Sequence, residues 1–278
     1  MKIVYDNISS ITSKTIAQTY STSFSMGIRL LNKKLQEPIY NIYGFVRIAD
    51  EIVDSFHDCP QADLLQEFRQ DTYNAIDRKI STNPVLQSFQ KTVNEFGIER
   101  ELIDTFLDSM EMDLEKIDYN SDLYEKYILG SAEVVGLMCL RVFVYKNDAM
   151  YEELKPYAMK LGSAFQKINF LRDLKDDYQD LGRIYFPNVD MSRFDETTKK
   201  ELITEIEQDF KIGLEGIKKL PKSSRFGVYL AYVYYTKLLG SIKQRPAHTL
   251  LNERVRIPDR KKYTLLVSSY VRHQFNFI

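Results

Sequence analysis

Cysteine is scarce: Cys59 and Cys139 are the only two in 278 residues. They form neither a disulfide framework nor a metal-ligand spacing, which excludes a small stapled fold and suits a reducing cytosol. Glycine (11) and proline (8) leave little room for the many turns of an all-β chain. Three histidines, His57, His248 and His273, have no cysteine, histidine or acidic partner at zinc spacing. GxSxG, P-loop and GxGxxG patterns are missing, so serine-hydrolase, NTPase and Rossmann readings have no support. The first residues, MKIVYDNISS, contain no apolar signal-peptide core. The most membrane-like run, YILGSAEVVGLMCLRVFVY (127–145), is interrupted by Glu133 and Arg141. A spanning helix requires about 20 nearly uncharged residues, so this run is expected to be a buried core helix.

What is present is an ordinary globular composition, 44% apolar and 28% charged, with a net charge of −1. That balance points to no nucleic-acid partner. The charge is uneven, however. From Thr236 onward nine basic residues face only Glu253 and Asp259, a solvated basic surface or one suited to phosphates or an anionic membrane. Apolar residues recur at three- and four-residue spacing in PIYNIYGFVRIADEIVDSF, ADLLQEFRQDTYNAIDRKI, NPVLQSFQKTVNEF and ERELIDTFLDSMEMDL. The same spacing runs through 121–145, 151–180, 196–219 and 224–244. Asn83-Pro84 reads as a helix start and Gly97 as a stop, while 181–196 reads as a loop. The expectation is an all-α fold of eight to ten helices in one domain, 1–278.

RIADEIVD, residues 47–54, places charges in the middle of a greasy helix. Tyr43, Arg47, Asp50 and Asp54 stack on one face, and the rest of the surface is almost wholly apolar. With 39 acids, about five carboxylate pairs at i, i+4 arise by chance, mostly on solvated faces. The second copy carries the weight: Gln166, Asn169, Asp173 and Asp177 share a face of AFQKINFLRDLKDDYQDLGRIYFP. Aspartates facing each other in a cavity are costly, and a divalent cation removes that cost. Oxygen ligands suit Mg²⁺ bridging carboxylates to a diphosphate. Arg47, Arg172 and Arg183 are candidate phosphate contacts. Phe24, Tyr43, Val134, Val135, Leu137, Phe165 and Phe170 are candidates for an apolar slot, opened by Gly130, Ala132 and Gly136.

STSFSMGIRLL, IYGFVRIADEIVD, YILGSAEVVG, QKINFLRDLKDDYQDLGRIYFP and NERVRIPDRKK, in this order, resemble the successive motifs of the squalene/phytoene synthase family. The resemblance implies an isoprenoid-synthase fold around a central cavity and head-to-head condensation of two prenyl diphosphates. It also implies metal ligation by Asp50, Asp54, Asn169, Asp173 and Asp177, with Mg²⁺ or Mn²⁺ as the ion. Tyr43, Arg47, Arg172, Tyr235 and Arg254 would line the diphosphates, with Gln166 beside the substrate and Ser21, Ser23 and Phe24 in a lid. Thr22 stands where many members carry a basic residue. The C-terminal motifs look most like the phytoene synthase branch, which condenses geranylgeranyl diphosphate without NADPH. A C30 synthase using farnesyl diphosphate is the alternative. A head-to-tail elongase and a non-catalytic prenyl-lipid-binding or assembly protein rank below it. The implied setting is the cytoplasm, with loose association at the inner face of the membrane.

Overall fold

The computed structural model describes residues 2–115, 119–176, 185–187 and 194–256. Among these residues there is no strand. The helices are α1 (Lys2–Tyr20), α2 (Thr22–Arg29), α3 (Lys33–Ser55), α4 (Gln61–Arg78), α5 (Pro84–Phe96) and α6 (Arg100–Met112). They continue as α7 (Ser121–Ile128), α8 (Val134–Phe143), α9 (Asp148–Lys175), α10 (Glu196–Lys219), α11 (Lys222–Lys243) and the single turn α12 (Ala247–Leu250). A π-helical turn, Leu129–Glu133, joins α7 to α8. These exceed the expected eight to ten because the segment 121–145 divides into α7 and α8 at the π-helical turn, and because α1, α2 and the four-residue α12 add to the expected segments. No helix of the described residues is long and apolar enough to cross a membrane.

Helix α1 shows why periodicity missed it. Its buried residues are Ser9, Ser13 and Ala17, whereas Ile3, Val4, Ile8 and Ile11 are exposed. Small residues let it lie close to α3: a Cβ on Gly44 would meet Ser13 Oγ at 2.6 Å. Ser13 in turn bonds Ser88 of α5 through their hydroxyls at 2.7 Å.

Four of the helices that build the central cavity, α2, α3, α9 and α10, start on side-chain caps worth about 1 kcal/mol each. Ser21 accepts from Phe24 N–H, Asn32 from Lys34, Asn147 from Met150 and Asp195 from Thr198. The expected start at Asn83-Pro84 and stop at Gly97 are also present. Asn83 accepts from Val85 N–H, and Gly97 sits at φ +67°, where glycine carries no Cβ penalty.

Two apolar clusters form. One joins α1, α3, α4, α5, α6 and α8 around a stacked Phe45–Phe89 pair. The other, around α9, α10 and α11, is rich in aromatic residues. A buried ion-pair group holds α9 to α10. Lys167 Nζ lies 2.6 Å from Asp209 and also bonds Glu205, while Asp209 accepts from Ser163 at 3.1 Å. Lys167 is 6% exposed and Asp209 4%. Removing one partner of so buried a pair strands the other charge and costs several kcal/mol.

Candidate active site

The first charged stripe sits near the C-terminal end of α3. Arg47 bonds both Asp50 and Glu51, one turn further along the same helix. Its guanidinium carbon lies 4.2 Å from the Tyr20 ring centroid. Among the described residues, Arg47 Nε is buried without a hydrogen-bond partner. Burial works against the Glu51 charge, but hydrogen bonds from Ser55, Arg47 and Tyr20 outweigh it and hold the carboxyl below its ordinary range. Asp54 follows on the same face, half-buried.

The second stripe ends α9. Arg172 Nε donates to Asp173 Oδ1 at 2.8 Å, and its terminal nitrogen bonds Oδ2, a bidentate pair. Arg254, from the segment after α12, reaches the same carboxylate at 2.7 Å and Asp176 at 3.6 Å. Asn169 and Gln166 lie one and two turns back from Asp173 along α9. Asn169 donates to Gln166 at 3.4 Å and accepts from the Tyr235 hydroxyl at 3.3 Å. The two stripes border one cavity, which Tyr43 and Val46 of α3 and Gln166 and Asn169 of α9 line together. Asp177 and Arg183 lie outside the described residues. Among those described, no three acidic, histidine or cysteine side chains stand together as a metal cluster.

Below the stripes opens a cavity of about 310 Å³. Its rim is aromatic. Phe24 packs on Tyr43, Phe165 and Tyr235, with centroids 6.2, 6.2 and 5.8 Å away, and Phe165 stacks on Tyr235 at 4.2 Å. Ser21, capping α2, also bonds Tyr43. Ser23 is half-buried in the first turn of α2, and Thr22 beside it is exposed. Burial raises the pKa of both rim phenols, Tyr235 to about 12, so each stays a neutral hydroxyl at ordinary pH.

The walls are apolar and built from α2, α3, α8, α9, α10 and α11. Along α9 the lining runs from Asn169 down to Leu154, roughly 22 Å at the helical rise of 1.5 Å per residue. Of the expected slot residues, Phe24, Tyr43, Val135, Phe165, Ala132 and Gly136 line it. Val134, Leu137, Phe170 and Gly130 do not. Phe170 stacks on Tyr185 at 4.3 Å behind α9, and a Cβ on Gly130 would meet Ser109 at 2.5 Å. A one-residue step rotates a side chain by about 100°, so neighbours on one helix split between lining and core.

Sequence reasoning missed three features. Glu51, one residue off the stripe, shares Arg47 with Asp50. The tie between Lys167 and Asp209 joins helices far apart in the chain, which no local pattern reveals. Asp113 is buried and accepts from Tyr127 at 2.7 Å and Tyr185 at 3.2 Å, behind α9. The repeated tyrosines of SDLYEKYI were the only available signal for that cluster.

Comparison with known proteins adds to this geometry. The sequence profile of the squalene/phytoene synthase family matches residues 17–261. Phytoene synthase 1, chloroplastic, of Solanum lycopersicum is 26% identical over 92% of this chain, which spans 66% of that protein's length. The 4,4'-diapophytoene synthase of Staphylococcus haemolyticus is 25% identical over 90% of this chain and 92% of its own. A solved dehydrosqualene synthase shares the fold with a TM-score of 0.83 at 21% identity, covering 97% of this chain and 98% of that one.

Proposed function

The chain belongs to the squalene/phytoene synthase family of head-to-head prenyltransferases, and from that premise we propose that it condenses two geranylgeranyl diphosphates to phytoene. One observation carries the reading: guanidinium–carboxylate stripes on α3 and α9 border one apolar cavity about 22 Å long. Such a site holds a charged head and a hydrocarbon tail at once.

The donor set fits a hard cation. Asp50, Asp54, Asn169, Asp173 and Asp177 offer only oxygen, as Mg²⁺ prefers. Bound there, Mg²⁺ would supply the positive charge that stabilises diphosphate as a leaving group. The residues of the chain do the rest. Arg47, through its unpartnered Nε, and Arg172 and Arg254 hold phosphate oxygens. The Gln166 and Asn169 amides and the neutral Tyr43 and Tyr235 hydroxyls fix the head group below them. After the first diphosphate leaves, the allylic cation is attacked by the double bond of the second substrate, and loss of a proton closes the ring to a cyclopropylcarbinyl diphosphate. The second diphosphate then leaves, the cation rearranges, and loss of a second proton gives the hydrocarbon. The faces of Phe24, Tyr43, Phe165 and Tyr235 stabilise positive charge at the rim. The apolar walls keep water from the cations until a proton is lost. That ending requires no NADPH.

A second reading, a C30 synthase using farnesyl diphosphate, is favoured by the near full-length match to the diapophytoene synthase. Purified protein given each diphosphate with Mg²⁺, followed by mass spectrometry, separates the two. A C40 product is expected. A C30 product alone selects the second reading, and no hydrocarbon from either substrate overturns both. A hydrocarbon product and the basic residues after Thr236 support loose association with a membrane surface.

A further inference from the structure

At the end of the cavity away from the charged mouth, one lining side chain also reaches the surface. Tyr157 lines the cavity from α9, twelve residues below Asn169, roughly 18 Å along the helix axis. Its outer edge is at the surface. Lys219 Nζ donates to the Tyr157 hydroxyl at 3.3 Å and to Glu153 at 3.0 Å. The same ammonium lies 4.7 Å from the ring centroid. Lys219 and Glu153 are themselves exposed, 43% and 57% at the side chain.

The ring fits because of what stands beside it. Gly216, one turn before Lys219 on α10, lies so close that an added Cβ would be 2.3 Å from Tyr157 Cβ. Both residues line the cavity, together with Leu154, Ile217 and Leu220 at this end. The Tyr157 ring thus stands between the apolar lining and the surface, and an exposed ion pair holds its hydroxyl. A tyrosine suits this place because its body is apolar and its tip is wet.

We infer that Tyr157 is the floor of the prenyl-chain site, with Lys219 and Glu153 latching it shut, so that its ring sets the longest chain the protein accepts. The inference rests on the prenyltransferase reading. A chain longer than the cavity must displace the ring and break the latch, whereas a shorter one leaves apolar surface unfilled.

The test is a competition among C15, C20 and C25 allylic diphosphates with wild type, Tyr157→Ala and Tyr157→Phe. Tyr157→Ala is expected to raise turnover of the chain one isoprene unit longer than the wild-type preference by about tenfold relative to the preferred chain. Tyr157→Phe keeps the ring and is expected to leave that ratio within about twofold. Where Tyr157→Ala fails to fold by circular dichroism, Tyr157→Leu is expected to give a smaller shift in the same direction. A folded Ala or Leu variant that loses turnover of all chain lengths equally would overturn the inference. Calorimetric binding of saturated alkyl diphosphates of increasing length separates this from the reading it rests on. Wild-type affinity should stop rising at a length beyond which the Ala variant still gains. A wild type that shows this plateau but condenses no prenyl diphosphate sinks the proposed reaction and keeps the floor. An identical plateau in both proteins removes the floor.

Discussion

On α3, Arg47 bonds Asp50 and Glu51 three and four residues along its own helix, so its charge is met within one turn. On α9, Arg172 takes the adjacent Asp173, and that carboxylate takes a second guanidinium, Arg254, from a segment beyond α12. The first stripe can assemble wherever the helix forms, because i, i+4 neighbours meet by helical geometry alone. The second is complete only when the end of α9, α11 and the C-terminal segment have docked. The site therefore pairs a self-contained half with a half that depends on tertiary contacts.

Removing one carboxylate from each half is the largest test of that difference. Asp173→Asn strips both Arg172 and Arg254 of their shared partner and is expected to lower turnover by about 10²–10³-fold. Asp50→Asn leaves Arg47 held by Glu51, and its loss should be about tenfold smaller. Steady-state product formation measures both. Equal losses would erase the distinction between the halves. Arg254→Ala comes next. About a tenfold fall in kcat/KM is expected, mostly as a rise in KM, because Arg172 still holds Asp173. An unchanged KM would show that Arg254 does not contact substrate.

The smallest effect sharpens the local half. Glu51 is held below its ordinary carboxylate range, so its contribution is present at neutral pH and fades as pH falls through its folded value, below about 4.3. Glu51→Gln should flatten stability against pH in that acid window while costing less than about 1 kcal/mol at pH 7. Denaturant melts across pH 3–7 read this directly, and a slope equal to wild type would mean Glu51 is not stabilised by folding.

Legibility in the sequence followed the range of each interaction. Periodicity located α3 to α6 and α8 to α11, and Asn83-Pro84 and Gly97 marked their helix boundaries. Helix α1 escaped because it buries serines and exposes isoleucines, packing by closeness instead of apolar area. Phe170 and Leu137 were assigned to the slot on composition, and packing sent both to the core. Glu51 was within reach of sequence reasoning, since a glutamate four residues after an arginine on a helix pairs with it. Lys167 with Asp209 was not, because nothing local to either residue names the other.

The sequence by itself determined that the chain is helical, where most helices begin and end, and which two faces carry arginines and carboxylates. Those properties arise within one or two turns, where covalent spacing fixes which side chains meet. Only the tertiary structure decided that the two faces border one cavity, that Arg254 joins Asp173, and that Tyr157 packs against Gly216 at the far end of that cavity. Each of these depends on which helix packs on which and at what rotation, and that is set by the sum of many weak contacts across the molecule.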